Sequence, residues 1–109
     1  MPQEKSVILR FPFDSVWDAA HLVIQQAGWN VARTNRALGH FEVKIPVKIG
    51  TPPLPMTETF SIDVIRVDND STKVRAWGMP NYPVLDWGST WQYVDSFLLE
   101  LEKVLVRKT

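Results

Sequence analysis

The end of the chain carries a long amphipathic segment, from Asp86 to Val106, whose pattern is typical of a helix. Its apolar residues recur at steps of three and four, the spacing of one helix face. These residues are Trp91, Val94, Phe97, Leu98, Leu101, Val104 and Leu105. Ser89 and Gln92 fit a capping box, which would start the helix proper at Ser89. Because a helix so apolar on one side must bury that side, the rest of the chain has to supply a surface for it.

A second amphipathic segment lies near the beginning of the chain and predicts a shorter helix. Its apolar residues are Val16, Trp17, Ala20, Val23, Ile24 and Ala27. Asp14 or Ser15 offers a side-chain oxygen to cap its start, and Gly28 supplies a left-handed stop. The β-rich run from Ser6 to Phe11, which Pro12 ends, predicts a strand before this helix.

Four further strands are predicted between the two helices. The clearest one alternates apolar and polar residues, with Phe41, Val43, Ile45, Val47 and Ile49 on its apolar face. The others are expected at 29–34, 59–64 and 72–78, separated by a turn at 35–39 and a polar turn at 68–71. Pro46 cannot donate a ladder hydrogen bond, so we expect it at an edge or a bulge.

The predicted order of elements is β-α-β-β-β-β-α. Four consecutive antiparallel strands form a meander, and each helix has one apolar stripe, so both helices should cover the same face of the sheet. We therefore expect an α+β two-layer sandwich that forms one domain over residues 1–109.

Charge on the polar face of the strands suggests a register. Pairing Val43 with Val64 sets Lys44 opposite Asp63, and pairing Val64 with Val74 sets Asp63 opposite Arg75. This predicts a Lys44–Asp63–Arg75 ladder on the solvent face.

Composition narrows the class of function. The chain has 109 residues, a formal net charge of zero and no cysteine. Phosphate neutralisation dominates nucleic-acid binding, so a neutral chain favours no nucleic-acid partner. No segment is long enough to span a membrane, and the first residues lack the apolar core of a signal peptide. We expect a cytoplasmic location, or an exported one if a signal was trimmed from this sequence.

Motifs that would carry catalysis are absent from the sequence. His21 and His40 have no histidine or carboxylate partner at metal-binding spacing, and the run from Asp68 to Asp70 lacks the glycine and glutamate of a calcium loop. No nucleophile elbow, phosphate loop or dinucleotide fingerprint occurs. We therefore expect a protein that is not an enzyme and that needs no cofactor and no metal. Trp77 among basic residues on the solvent face leaves single-stranded RNA as a weaker alternative.

Two proline-rich connections are unusually apolar for loops. They run from Gly50 to Met56 and from Met79 to Leu85, and Trp87 follows the second. Exposed apolar loop residues are typical of an interaction surface. Our first hypothesis is an accessory domain that binds a protein partner, or a second copy of itself, through Leu54, Met56, Met79, Tyr82, Val84 and Trp87.

The alternative is a small apolar ligand held between the sheet and the C-terminal helix. The residues expected to line such a pocket are Phe41, Phe60, Trp91 and Leu98. Bulky inward residues in so short a chain should fill their own interior, which favours the first hypothesis over this one.

Two local patterns resemble known small domains. Val16-Trp17 and Gly28-Trp29, followed by Gly39-His40-Phe41, are similar to the opening of the helix-grip repeats in the BamC lipoprotein of the outer-membrane β-barrel assembly machine. Asp86-Trp87-Gly88 resembles the lead into the closing helix of a related bacterial domain family of unknown function. The whole order resembles helix-grip and TATA-binding-protein-like domains. This resemblance implies a protein-binding accessory role, and it carries over no catalytic residue.

Overall fold

The architecture follows the predicted order of elements. The structure is a computed structural model that describes the backbone of residues 3–49, 54–79 and 87–108, and the side chains of residues 4–46, 59–77 and 93–107. The elements are β1 (Gln3–Leu9), α1 (Phe13–Ala27), β2 (Asn30–Asn35), β3 (His40–Ile49), β4 (Leu54–Arg66), β5 (Thr72–Met79) and α2 (Trp87–Lys108). The chain is thus an α+β sandwich, as the two helical stripes and the alternating strands predict.

All five strands form one antiparallel sheet in the order β1-β5-β4-β3-β2. The meander from β2 to β5 was predicted, whereas the pairing of β1 with β5 was not. Both helices contact each other and the same face of the sheet. That face is apolar and fully buried, through Phe41, Val43, Ile45, Phe60, Ile62, Val64, Val74 and Ala76.

The long stripe of α2 faces this surface. Six of its predicted residues are buried, namely Val94, Phe97, Leu98, Leu101, Val104 and Leu105. The side chain of Trp91 lies outside the described residues. Helix α2 begins at Trp87, so Ser89 lies inside the first turn and the predicted start at Ser89 is wrong.

The two ends of α1 differ in how well the sequence predicts them. Gly28 has a left-handed backbone, with φ of 78°, and its N–H donates to the Gln25 carbonyl. The prediction of a side-chain cap at Asp14 or Ser15 is wrong, because the helix begins earlier, at Phe13. The carbonyl of Pro12 accepts the N–H of Val16 at 3.1 Å, which places both polar residues within the first turn.

The register between β3 and β4 differs from the predicted one by four residues. Val43 lies opposite Phe60, and Lys44 lies opposite Thr59. The reason is the start of β4 at Leu54, which leaves only residues 50–53 to connect the strands, instead of a loop to Met56. A shift by an even number of residues keeps every side chain on its predicted face of the sheet, so the predicted core residues of β3 and β4 whose side chains the structure describes are still buried. The predicted pairing of Asp63 with Arg75 is confirmed.

One part of the sheet has two strands only. Pairing of β2 with β3 ends at Lys44, and pairing of β5 with β4 ends at Thr59. Beyond these points, residues 45–49 and 54–58 pair with each other, and we call these ten residues the hairpin arm. Pro46 lies in the arm beyond the end of β2, where its missing N–H breaks no ladder with that strand. No helix in the described part of the chain is long and apolar enough to cross a membrane.

Candidate functional site

Four aromatic side chains form a cluster between the sheet and α2. The ring of Phe60 lies 5.8 Å from that of Trp29 and 5.7 Å from that of Phe97, and Trp29 lies 6.0 Å from Tyr93. All three pairs meet edge to face, the arrangement that aromatic quadrupoles favour. We call these four residues the aromatic cluster.

The sequence places each member of the cluster for a local reason. Trp29 follows the left-handed Gly28, and its N–H donates to the Ile24 carbonyl at 3.2 Å, which fixes where the chain leaves α1. Phe60 belongs to the buried face of β4. Tyr93 and Phe97 are one helical turn apart on α2, and therefore lie on the same side of it.

The cluster is buried on one side and reaches the surface on the other. Phe60 and Phe97 are 1% and 0% exposed, whereas Trp29 and Tyr93 are half-buried. Phe60 is adjacent to Thr59, the last residue of β4 that pairs with β5. Among the residues whose side chains the structure describes, the cluster therefore lies at the margin of the core, at the base of the hairpin arm. Its half-exposed rings can contact an apolar or aromatic molecule.

Three of the four residues predicted to line a pocket lie within the core. Phe41 is 0% exposed and contacts Trp17 and His21 of α1, at ring distances of 5.4 and 4.7 Å, while Phe60 contacts α2. Leu98 is 7% exposed. A side chain that lines an open pocket presents surface to water, so the interior is filled at Phe41 and Phe60. Trp91 belongs to α2, and its side chain is outside the described residues.

The residues predicted to bind a partner occupy different kinds of structure. Leu54 and Met56 belong to β4, where they pair with Ile49 and Val47, and so the prediction that they lie in a loop is wrong. Cross-strand pairing extends β4 into the proline-rich segment, because an outer edge tolerates a missing N–H. The remaining predicted residues are Met79, which ends β5, Trp87, which begins α2, and Tyr82 and Val84, which lie outside the described residues.

The solvent face of the sheet carries a charged row centred on Asp63. His40 Nδ1 lies 2.6 Å from one carboxylate oxygen of Asp63, and Arg75 Nε lies 3.7 Å from the other. His40 thus occupies the place predicted for Lys44, as the shifted register requires. The Arg75 guanidinium also lies 4.5 Å from the centre of the Trp77 ring. Ion pairs of this exposed kind contribute about 0–1 kcal/mol each, so the row is first of all structural.

The other histidine has a structural environment. His21 Nδ1 lies 2.9 Å from the carbonyl oxygen of Trp17, one turn earlier in α1, and its ring packs against Phe41. In the part of the chain that the structure describes, no three His, Asp or Glu side chains come together as metal ligands.

No family model and no curated protein matches the sequence. Solved structures do resemble the fold. The Zhui aromatase/cyclase from Streptomyces sp. R1128 superposes with a TM-score of 0.58 at 11% identity, over 99% of this chain and 94% of its own. A START superfamily protein from Mycobacterium smegmatis gives a TM-score of 0.57 at 11% identity, over 99% of each chain.

Norcoclaurine synthase from Thalictrum flavum, in complex with dopamine and hydroxybenzaldehyde, gives a TM-score of 0.52 at 7% identity, over 100% of this chain and 88% of its own. Identities this low establish a common architecture and assign no activity. Taken with the strand order and the long closing helix, they show that the chain has the helix-grip fold.

Proposed function

We propose that this protein binds a small aromatic molecule against the half-exposed side of the aromatic cluster, beside the hairpin arm. The observation that carries this proposal is the position of Trp29 and Tyr93. Both are half-buried and packed against the core. Trp29 contacts the buried ring of Phe60, and Tyr93 contacts Trp29. Rigid, partly exposed aromatic rings provide a large contact area at little cost in conformational entropy.

The chemistry of the cluster favours a neutral, largely apolar ligand. Its four members carry no charge, and the contacts among them are edge to face, so a further ring can join the same kind of packing. The ligand-binding position differs from the sequence-based alternative. It lies at Trp29 and Tyr93, at the margin of the core, and not at the filled interior around Phe41.

The likeness to known structures supports a small aromatic ligand. Norcoclaurine synthase was solved with dopamine and hydroxybenzaldehyde, which are both small aromatic molecules. No residue is carried over from that enzyme. We propose binding without catalysis, because the phenol of Tyr93 is the one group in the aromatic cluster with a transferable proton on oxygen, and the cluster contains no carboxylate, histidine or lysine to act with it.

A partner protein is the second candidate, and the hairpin arm favours it. The arm pairs Val47 with Met56 and Ile49 with Leu54, which are apolar residues in two strands that extend beyond the rest of the sheet. Two isolated strands are marginal in water, so a partner that covers the arm would stabilise it. The sequence resemblance to the BamC repeats, which implies a protein-binding accessory role, also supports this candidate. If a partner covers the arm, Leu54→Asp should abolish its capture in a pull-down, because a charge would replace an apolar side chain of the arm.

Ligand binding at the aromatic cluster is tested by a fluorescence titration with the neutral probe N-phenylnaphthylamine. We expect saturable binding to the protein, and Trp29→Leu should raise the dissociation constant roughly fivefold, since a lost aromatic contact contributes about 1 kcal/mol. Trp77→Leu is the matched control, because Trp77 lies on the opposite, solvent face of the sheet.

Circular dichroism establishes that each variant is folded, and Tyr93→Leu gives an independent second change in the cluster. Absence of saturable binding by the unmodified protein would overturn the proposal. Equal weakening by Trp29→Leu and Trp77→Leu would also overturn it, because the probe would then report general apolar surface.

A further inference from the structure

A groove of about 630 Å³ lies at the far end of the molecule from the hairpin arm. It is formed by the start of α1, the turn between β2 and β3 and the end of β4. This turn lies directly before β3, whereas the arm contains the second half of that strand. A strand rises about 3.3 Å per residue, so the turn and the near end of the arm are roughly 20 Å apart. We propose that the groove binds a small amphipathic anion, whose apolar body covers the groove and whose carboxylate, sulfonate or phosphate pairs with arginine.

The first argument is charge. The Phe13 ring lies in the groove, with the guanidinium carbon of Arg66 5.4 Å and that of Arg36 6.0 Å from its centre. Arg36 forms an ion pair with Asp14, with its Nη2 2.5 Å from Asp14 Oδ1, and this pair has no net charge. Within the described residues Arg66 forms no ion pair, and so the groove carries one uncompensated positive charge next to an aromatic surface. A guanidinium that stacks on a ring still has its in-plane N–H donors available for an anion.

The second argument is the apolar surface beside this charge. Leu38 is 76% exposed and Ile65 is 42% exposed, and both line the groove. A bare inorganic anion would leave these side chains in water. A ligand with an apolar body and one anionic group satisfies both the charge and the apolar surface.

The third argument is that the walls are held in place before any ligand arrives. The Gly39 carbonyl accepts the N–H of Val64 at 2.6 Å, and the Gly39 N–H donates to the Arg36 carbonyl at 3.0 Å. Asn35 Oδ1 accepts the N–H of Leu38 at 3.1 Å. These bonds fasten the turn against β4 and fix the backbone that carries Arg36 and Leu38. A preformed groove loses little entropy when it binds.

The test uses anilinonaphthalene sulfonate, an apolar probe with one anionic group, in a fluorescence titration of the whole chain. We expect saturable binding that Arg66→Gln weakens about tenfold, as expected for the loss of one charge-assisted hydrogen bond. Leu38→Ser should weaken it as well. Arg107→Gln is the matched control, because Arg107 is an exposed arginine on α2 that donates to the Lys103 carbonyl.

The two proposed sites are independent, and the variants distinguish them. Arg66→Gln should leave binding of N-phenylnaphthylamine unchanged, and Trp29→Leu should leave binding of the sulfonate probe unchanged. The inference is overturned if Arg66→Gln binds the sulfonate as tightly as the unmodified protein does. It is also overturned if Arg107→Gln weakens binding by the same factor, since the probe would then respond to net charge or bind beside Arg107, next to the exposed Leu99 and Val106 of α2.

Discussion

His40 and Asp63 lie directly opposite each other in β3 and β4, with His40 Nδ1 2.6 Å from a carboxylate oxygen of Asp63. Arg75 approaches the other oxygen from β5. The carboxylate therefore links three neighbouring strands on the solvent face of the sheet, and the pair marks the register of β3 on β4.

Double-mutant cycles test this register. We expect a coupling free energy of about 0.5–1 kcal/mol between His40→Ala and Asp63→Ala, because both side chains are partly exposed. Lys44 is the control, since it lies opposite Thr59. Its coupling to Asp63 should be below about 0.3 kcal/mol in urea denaturation. A larger coupling for Lys44 than for His40 would contradict the observed register.

Substitution of Gly39 should be far more damaging than substitution of Gly28. Both have positive φ, 66° and 78°, so Ala is strained at either position. Only at Gly39 would a Cβ overlap the carbonyl oxygen of Val64, whereas nothing lies within 4 Å of a Cβ at Gly28. We expect Gly28→Ala to lower the free energy of unfolding by about 1 kcal/mol and Gly39→Ala by more than about 2 kcal/mol. Equal losses in urea denaturation would show that the turn can move away from β4.

The same substitution should have a large effect on the buried face of α2 and a small effect on its exposed face. Leu101 is 0% exposed and Leu99 is 54% exposed. Leu101→Ala should lower the free energy of unfolding by about 2–5 kcal/mol, because it leaves a cavity in the core. Leu99→Ala should change it by less than about 0.5 kcal/mol. Thermal or urea unfolding measures both, and a small effect at Leu101 would argue against the packing of α2 on the sheet.

Thr72 holds the segment after β1 to the start of β5. Its side chain is buried, and Oγ1 donates to the Phe11 carbonyl at 2.8 Å. Thr72→Val keeps the shape but leaves that carbonyl unpaired, so we expect a loss of about 1–3 kcal/mol in unfolding free energy. The matched control is Thr34→Val, at an exposed position of β2, which should be nearly neutral. A neutral result at Thr72 would mean that water replaces the hydroxyl.

The fold could be predicted because its two periodicities are strong and agree with each other. The alternation through Phe41, Val43 and Ile45 and the stripe through Leu98 and Leu101 both lead to buried faces. The register of β4 on β5 was predicted correctly, but that of β3 on β4 was not. The second register depends on the length of the loop between β3 and β4, and the prolines suggested a longer loop than residues 50–53. The sequence also contains no signal for the pairing of β1 with β5, which depends on tertiary packing.

The candidate site was harder to predict than the fold. Trp29 and Tyr93 are far apart in sequence, and only the packing of α1, β4 and α2 brings them to one place. One local signal existed, a tryptophan directly after the left-handed Gly28, where the chain must turn back onto the core. Phe41 and Phe60 were correctly placed in the core, but the sequence could not show that they contact different helices.

The pairing of β1 with β5 makes the sheet slow to complete. Even the pair nearest in sequence, Leu9 with Thr72, is separated by α1 and the three strands β2, β3 and β4. Such non-local contacts must be closed against chain entropy, which lowers folding rates. During synthesis β1 therefore leaves the ribosome well before β5, and it cannot pair in the sheet until β5 has been made. The five-stranded sheet can be completed only after β5, the last strand of the meander, has formed.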